Sequence, residues 1–341
     1  MVNSGLLIVG NTGGTNVGGS FLRAAMKLGL EVQLVEMSLA MRAPAFVRRF
    51  NWWVRGRRPT RLNQFSNQLV KTISETRPQY LLATGTAPIT REAMEAIGRL
   101  GVVRINYLTD DPWNPAHRAV WFLEALPRYD RVFTPRLANY NDLKEIGCPE
   151  VDYLPFAYDE DLFFAKDESI DDGFESDVMF AGGADRGRVS HLSPLIAAGF
   201  KVALYGDCWE RYRETKSYSK GHADPATLRK AIKGTKVALC LVRKANRDGH
   251  VMRTFEVPAV GACMLVEDTE EHRQIFGGDN EAVVYFQSIE QMIYETRCLL
   301  TNDSERRRLA CSAHKLILGN GNAYKHRLVS MLVAVNGEIN Q

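Results

Sequence analysis

The run Asn246-Arg247-Asp248-Gly249-His250-Val251-Met252-Arg253-Thr254-Phe255-Glu256-Val257-Pro258-Ala259-Val260-Gly261-Ala262 gathers more groups capable of chemistry than any other part of the chain. Two carboxylates, Asp248 and Glu256, stand eight positions apart, with a glycine-bearing loop and the start of a helix between them. A carboxylate so placed can accept from a ribose diol or a sugar hydroxyl. The N–H groups of Gly249 and His250, the following helix start and the Arg253 guanidinium can hold phosphate oxygens. His250 has two open readings: a loop histidine that fills space, or one that touches a ligand.

Two glycine loops could serve the same chemistry. In Phe180-Ala181-Gly182-Gly183-Ala184-Asp185-Arg186-Gly187-Arg188, Gly182 and Gly183 let backbone approach a diphosphate, and Arg186 and Arg188 can grip its oxygens bidentately. The alternative is a polar surface turn. The loop from Gly10 to Gly19 leaves a strand and opens a helix, again a place for an anion. It fails G-x-G-x-x-G because Thr12 replaces the second glycine, and G-x-x-G-x-x-G because Asn16 replaces the third. Gly13 and Gly14 at its tip form either a functional loop or a tight structural turn. Glu36, ending the next strand, would suit a ribose. Tyr212 and Lys216 spell Y-x-x-x-K, which we read as coincidence.

Asn106-Tyr107-Leu108-Thr109-Asp110-Asp111-Pro112-Trp113 ends an apolar strand with two acids and an aromatic. Asp110 or Asp111 could orient or deprotonate an acceptor hydroxyl, and Trp113 could stack on a sugar face. Helix capping by either acid is the competing role. Between Arg42 and Arg61 lie seven arginines (Arg42, Arg48, Arg49, Arg55, Arg57, Arg58, Arg61) with Phe46, Phe50, Trp52 and Trp53, and no acid. That mixture suits an anionic membrane surface or a phosphate-bearing acceptor. A solvated basic helix is the plain alternative.

These residues must be positioned by something, and the pattern is α/β. Short apolar runs (6–10, 31–37, 80–85, 102–111, 130–135, then 177–183, 201–207, 237–242, 263–268, 281–286) alternate with helical stretches, as in parallel sheets. Each half reads as a doubly wound unit whose ligands bind beyond the carboxyl ends of its strands. We expect domains at 1–160 and 176–321 with a linker at 161–175. A helix over 322–341 is free to cross back to the first domain.

The chain resembles the GT-B glycosyltransferases of the "glycosyl transferases group 1" set, in particular the branch of spore maturation protein CgeB-like enzymes. The segments that carry the resemblance are Ser176 to Gly183, Val202 to Trp209, the R-x-F-E-x-x-A-x-G-A run from Arg253 to Ala262, and S-E-R-R-R-L-A with A-Y-K-H-R in the tail. The family pattern has two glutamates eight positions apart; Glu256, with Ala259 and Gly261, matches the second, and Asp248 stands in place of the first. The resemblance implies two Rossmann-like domains facing each other across a cleft, the second holding a nucleotide-sugar donor. Glu256 would take the ribose, and Gly182, Gly183, Arg186, Arg188, Gly249, His250 and Arg253 would line the donor site. Asp110 and Asp248 are the catalytic candidates, and Gly13, Gly14, Asp111 and Trp113 belong to the acceptor side. It also implies transfer of a hexose-type sugar to a hydroxyl with retention of configuration, with no metal and no cofactor.

Composition narrows the rest. Of 341 residues, 45% are hydrophobic and 24% charged, which excludes a disordered chain and leaves room for two cores. No apolar run reaches the roughly 18 residues of a spanning helix. A net charge of +3 gives no reason to expect nucleic acid. The start MVNSGLLIVGNTGG has no signal-peptide pattern, and the six cysteines show no C-x-x-C pair, so buried free thiols and a cytoplasmic protein, peripheral at the inner membrane face, are expected. Three other functions stay open: an NAD(P)-dependent oxidoreductase using the Gly10 loop and Glu36, a sugar-nucleotide epimerase of the same fold, and a degenerate domain that only binds a partner.

Overall fold

Largely apolar five-residue runs such as Leu6–Gly10 and Tyr80–Thr84 are buried along their entire length, the signature of parallel strands covered on both faces. The computed structural model describes residues 5–165 and 172–339, so part of the expected linker, 166–171, lies outside the described residues. The chain divides into two units. One holds the residues up to Pro155, the tripeptide Ala245–Arg247 and the stretch from Tyr324; the other holds Phe156–Lys244 and Asp248–Ala323.

The first unit runs β1 (Leu6–Gly10), α1 (Val17–Lys27), β2 (Val32–Glu36), α2 (Ala45–Val54), α3 (Leu62–Thr76), β3 (Tyr80–Thr84), α4 (Arg91–Arg99), β4 (Val103–Tyr107), α5 (Val120–Ala125), β5 (Arg131–Thr134), α6 (Ala138–Glu145) and β6 (Val151–Tyr153). Its parallel sheet has the order β2-β1-β3-β4-β5-β6. The short strand β6 was not expected. Leu7, Val9, Leu81 and Ala83 of the sheet pack with Leu69, Ile73, Met94 and Ile97 of α3 and α4 in one core. A Cβ on Gly10 would lie 2.8 Å from the Gly18 Cα, so β1 and α1 touch backbone to backbone and both positions need glycine.

The second unit runs β7 (Ser176–Ala181), α7 (Arg186–Ala197), β8 (Val202–Tyr205), β9 (Ser219–Gly221), α8 (Pro225–Gly234), β10 (Thr235–Cys240), α9 (Arg253–Val260), β11 (Met264–Glu267), α10 (Glu270–Phe276), β12 (Val284–Phe286), α11 (Ile289–Thr301) and α12 (Asp303–Gly319). Its parallel order is β12-β11-β10-β7-β8-β9. Numbered from β7, that is the doubly wound order 6-5-4-1-2-3, in which the direction of winding reverses between β7 and β10; loops leaving those two strands are the expected ligand position. Helix starts are capped by side chains: Asp185, Asp224, Thr269 and Ser288 each accept a backbone N–H three residues on. Of the three helical segments after β12, α11 and α12 stay in this unit. The third, α13 (Tyr324–Ile339), belongs to the first unit, where the Tyr324 ring meets Phe21 of α1 edge-on at 5.1 Å. Contrary to the expectation of buried thiols, Cys298 and Cys311 are exposed on α11 and α12; Cys148, Cys240 and Cys263 are buried.

Candidate functional site

At the carboxyl end of β7 the chain turns through Gly182 and Gly183 into α7. Gly182 donates its N–H to the Tyr205 carbonyl at 2.8 Å and accepts from the Trp209 indole at 2.8 Å; the Gly183 carbonyl accepts from the Arg188 guanidinium at 2.9 Å. Those groups are therefore committed within the protein, and the turn's contribution to any anion rests on its remaining N–H groups. Arg188 is buried against the Phe180 ring, its guanidinium carbon 5.3 Å from the centroid. Burial, reinforced by Arg243, pulls its pKa down to about 10, while the charges of Asp185 and Asp248 act the other way. It stays protonated at neutral pH. Arg186, two positions earlier at the start of the same helix, is exposed.

At the carboxyl end of β10 the loop passes Asp248, which is half-buried and donates its N–H to the Arg243 carbonyl at 3.3 Å. Gly249 follows, and its carbonyl accepts from Thr269 at 2.5 Å. A Cβ here would stand 2.3 Å from Glu271 Cδ, which is why the position needs glycine. Glu271 in turn holds His250. The Phe156 N–H donates to His250 Nε2 at 3.1 Å, so the ring proton sits on Nδ1 and faces Glu271 Oε2 at 2.6 Å. With its ring fully buried and edge-on to Phe156 and Phe255, His250 shapes the loop and offers a ligand only its backbone. Thr254, in the first turn of α9, accepts from the Val251 N–H at 3.1 Å and donates to His272 Nε2 at 3.0 Å. Burial drives His272 down to about 4 and keeps it neutral. We expect Gly249→Ala to push Glu271 off His250 and to cost about 1–3 kcal/mol, the usual range for overpacking, read as a lower thermal midpoint.

The first turn of α9 ends in the central pair. Glu256 is buried and forms an ion pair with Arg253, three residues back on the same face. Arg253 also faces the Phe163 ring at 6.0 Å. Arg188 and Arg253 both act electrostatically on the buried Cys240 at the end of β10. The second unit thus brings Arg188, Asp248, Arg253 and Glu256 to the ends of β7 and β10, where its winding reverses.

In the first unit the glycines of the first loop split into two kinds. Gly10, Gly18 and Gly19 are required by close backbone packing, whereas Gly13 and Gly14 are exposed with open space beside them, Gly14 at φ +60°. Glu36 accepts from the Thr12 N–H at 3.1 Å and from the Thr12 hydroxyl, so its carboxylate holds the loop and is not extended toward a ribose. The neighbouring acids also differ. Asp110 is half-buried and accepts from Thr109 at 3.2 Å. Asp111 is buried and fully engaged: it accepts from the Trp113 N–H at 3.0 Å, the Asn139 amide at 2.9 Å and Arg247 at 2.6 and 2.9 Å. Burial alone would raise its carboxyl, but Arg247 and these donors outweigh it and hold the pKa below the ordinary value. Trp113 is half-buried, with the Arg247 guanidinium 5.8 Å from its ring. Of the pair, Asp111 holds structure, whereas Asp110 accepts from the Thr109 hydroxyl beside it.

Arg247 is the residue that sequence reading missed. It adopts a left-handed φ of +50° and also pairs with Asp142 at 2.7 Å. Nothing local flags it, because its partner Asp111 lies 136 positions away.

Residues 188–333 match the family described as glycosyl transferase-like. No curated protein matches the chain. Among solved structures it is similar to sucrose-phosphate synthase from Thermosynechococcus elongatus, with a TM-score of 0.70 and 11% identity over 99% of this chain and 100% of that one. It is also similar to HepE from Anabaena in complex with UDP-glucose, with a TM-score of 0.68 and 12% identity over 97% and 99%. The UDP-N-acetylglucosamine 2-epimerase-like protein of Listeria monocytogenes aligns with a TM-score of 0.59 and 10% identity over 99% and 98%. The fold is GT-B, shared with these structures, and the glycosyl transferase-like match lies almost wholly within the second unit.

Proposed function

We propose that the second unit binds a nucleoside diphosphate sugar. Glu256 takes the ribose hydroxyls, while Arg253, Arg188, Arg186 and the N–H groups about Gly183 and Gly249 take the pyrophosphate. The observation that carries this reading is the pair of buried Glu256 with half-buried Arg253 in the first turn of α9, beside the point where the sheet reverses its winding. The likeness to a UDP-glucose complex makes UDP-glucose the first donor to try. The sugar would be a hexose, passed to an acceptor hydroxyl with retention. The bond from the anomeric carbon to the diphosphate breaks, the bond to the acceptor oxygen forms, and the acceptor proton leaves on the departing phosphate. Guanidiniums and helix N–H groups would disperse the charge that builds on that leaving group without a metal. Asp248 would touch the sugar, and Asp110 would orient the acceptor. The CgeB-like branch is the narrower assignment we favour.

Glu256→Ala is expected to weaken UDP binding by about 1–3 kcal/mol, as for loss of a charge-assisted hydrogen bond, measured by calorimetry. Unchanged affinity in a folded variant would overturn the ribose assignment. A sugar-nucleotide epimerase is the second reading, favoured by the likeness to the Listeria protein. Conversion of UDP-N-acetylglucosamine with no acceptor present would select it.

A further inference from the structure

We infer that α2 and the arginine pocket beside it form a docking surface for an anionic phospholipid bilayer. The inference stands apart from the donor-site reading and rests on the first unit alone.

The helix α2 carries Phe46, Phe50 and Trp53 at i, i+4 and i+7, and they are 74%, 58% and 75% exposed, with Val54 at 65%. A solvated basic helix would turn such side chains inward; here they form one outward stripe. The opposite side anchors the helix: Asn51 is buried and donates to the Thr60 hydroxyl at 3.3 Å. Arg49, exposed, flanks the stripe.

Immediately after α2, Arg55, Arg58 and Arg61 line a cavity of about 470 Å³ together with Thr60, Leu62, Asn63 and Gln64. The start of α3, a fifteen-residue helix with no side-chain cap, contributes Leu62, Asn63 and Gln64 to the lining; Leu62 gives its N–H to the Pro59 carbonyl at 3.2 Å, and the helix dipole adds to the three guanidiniums. From Met37 to Ser74 the chain has no acid at all. Arg57 is spent inside the protein, donating to the carbonyls of Pro115, Ala116 and Arg118, and Arg58 gives one N–H to Asn63 Oδ1 at 2.6 Å within the pocket lining. An apolar stripe beside a cationic pocket roomy enough for a phosphate headgroup matches the two layers of an anionic membrane surface, acyl chains and phosphate headgroups, and no soluble anion uses both. Among the described residues no helix is long and apolar enough to cross a membrane, so contact would be in the interface plane.

The test is sedimentation of the full chain with vesicles of phosphatidylglycerol and phosphatidylcholine, against phosphatidylcholine alone. At about 0.1 M salt the anionic vesicles should pellet the protein and the neutral ones should not. At about 1 M salt, where the screening length falls to roughly 3 Å, the anionic vesicles should release most of it. Phe50→Ser with Trp53→Ser should lower the partition coefficient at least about tenfold at unchanged charge. Arg55→Gln and Arg58→Gln should lower it about fivefold each and flatten the salt dependence. Inorganic phosphate at millimolar concentration should compete weakly. All four side chains lie outside the core, and an unchanged thermal midpoint confirms folding. No pelleting with anionic vesicles at low salt, or pelleting that the paired aromatic substitution leaves intact, would overturn the proposal. So would a dimer that the aromatic substitution splits in a protein that ignores vesicles, because the stripe would then belong to a second copy of the chain.

Discussion

Arg253→Ala is expected to slow sugar transfer by about 10²- to 10³-fold, the usual loss when one fixed donor to a developing negative charge is removed. The leaving diphosphate gains charge as the glycosidic bond breaks, so a guanidinium held against it matters more in the transition state than in the bound donor. The loss should therefore appear in kcat with a smaller change in KM. The same substitution leaves the buried Glu256 carboxylate without its counter-ion; breaking a fully buried pair from one side costs about 3–5 kcal/mol, and the half-buried Arg253 places the loss below that range. Stability and chemistry can be separated. Arg253→Ala combined with Glu256→Ala removes both charges together and should recover much of the melting temperature without recovering turnover. Arg253→Lys keeps the charge but not the planar fork, and should fold while transferring slowly. Nucleotide release from saturating donor at the normal rate in a folded Arg253→Ala protein would remove Arg253 from the pyrophosphate.

Asp111→Ala should be the most damaging substitution in the first unit, through stability and not through chemistry. Its carboxylate is buried and satisfies Arg247, Asn139 and the Trp113 N–H at once. Removing it strands the Asn139 and Trp113 donors and an arginine that keeps Asp142 and the Ala138 carbonyl, for a cost of about 3 kcal/mol and a drop of roughly 5–10 °C in melting temperature. The pH dependence has a definite sign. A carboxyl whose folded pKa lies below its unfolded value adds stability above the unfolded value and loses that stability as pH falls through the folded one. Asp111→Asn should therefore shrink the stability difference between neutral and acid pH. An acid limb identical to that of the unaltered protein would count against the pair. Asp110→Ala, by contrast, should leave the melting temperature nearly unchanged.

The amino-acid sequence by itself determined the alternation of strands and helices, since continuous apolar runs punctuated by glycine admit little but a parallel sheet covered on both faces. It also determined the local chemistry of α9: Arg253 and Glu256 are three positions apart on a helix, so their pairing follows from 3.6 residues per turn. The aromatic spacing of Phe46, Phe50 and Trp53 is equally local. Only the tertiary structure decided which way such groups face and which distant partners they meet. It turned that stripe outward, joined Asp111 to Arg247 across 136 positions, committed Glu36 to Thr12, and withdrew His250 onto Glu271. The difference is physical: spacing along a helix fixes neighbours within a turn or two, whereas burial and charge pairing depend on where two sheets and their crossovers bring residues that the chain itself keeps far apart.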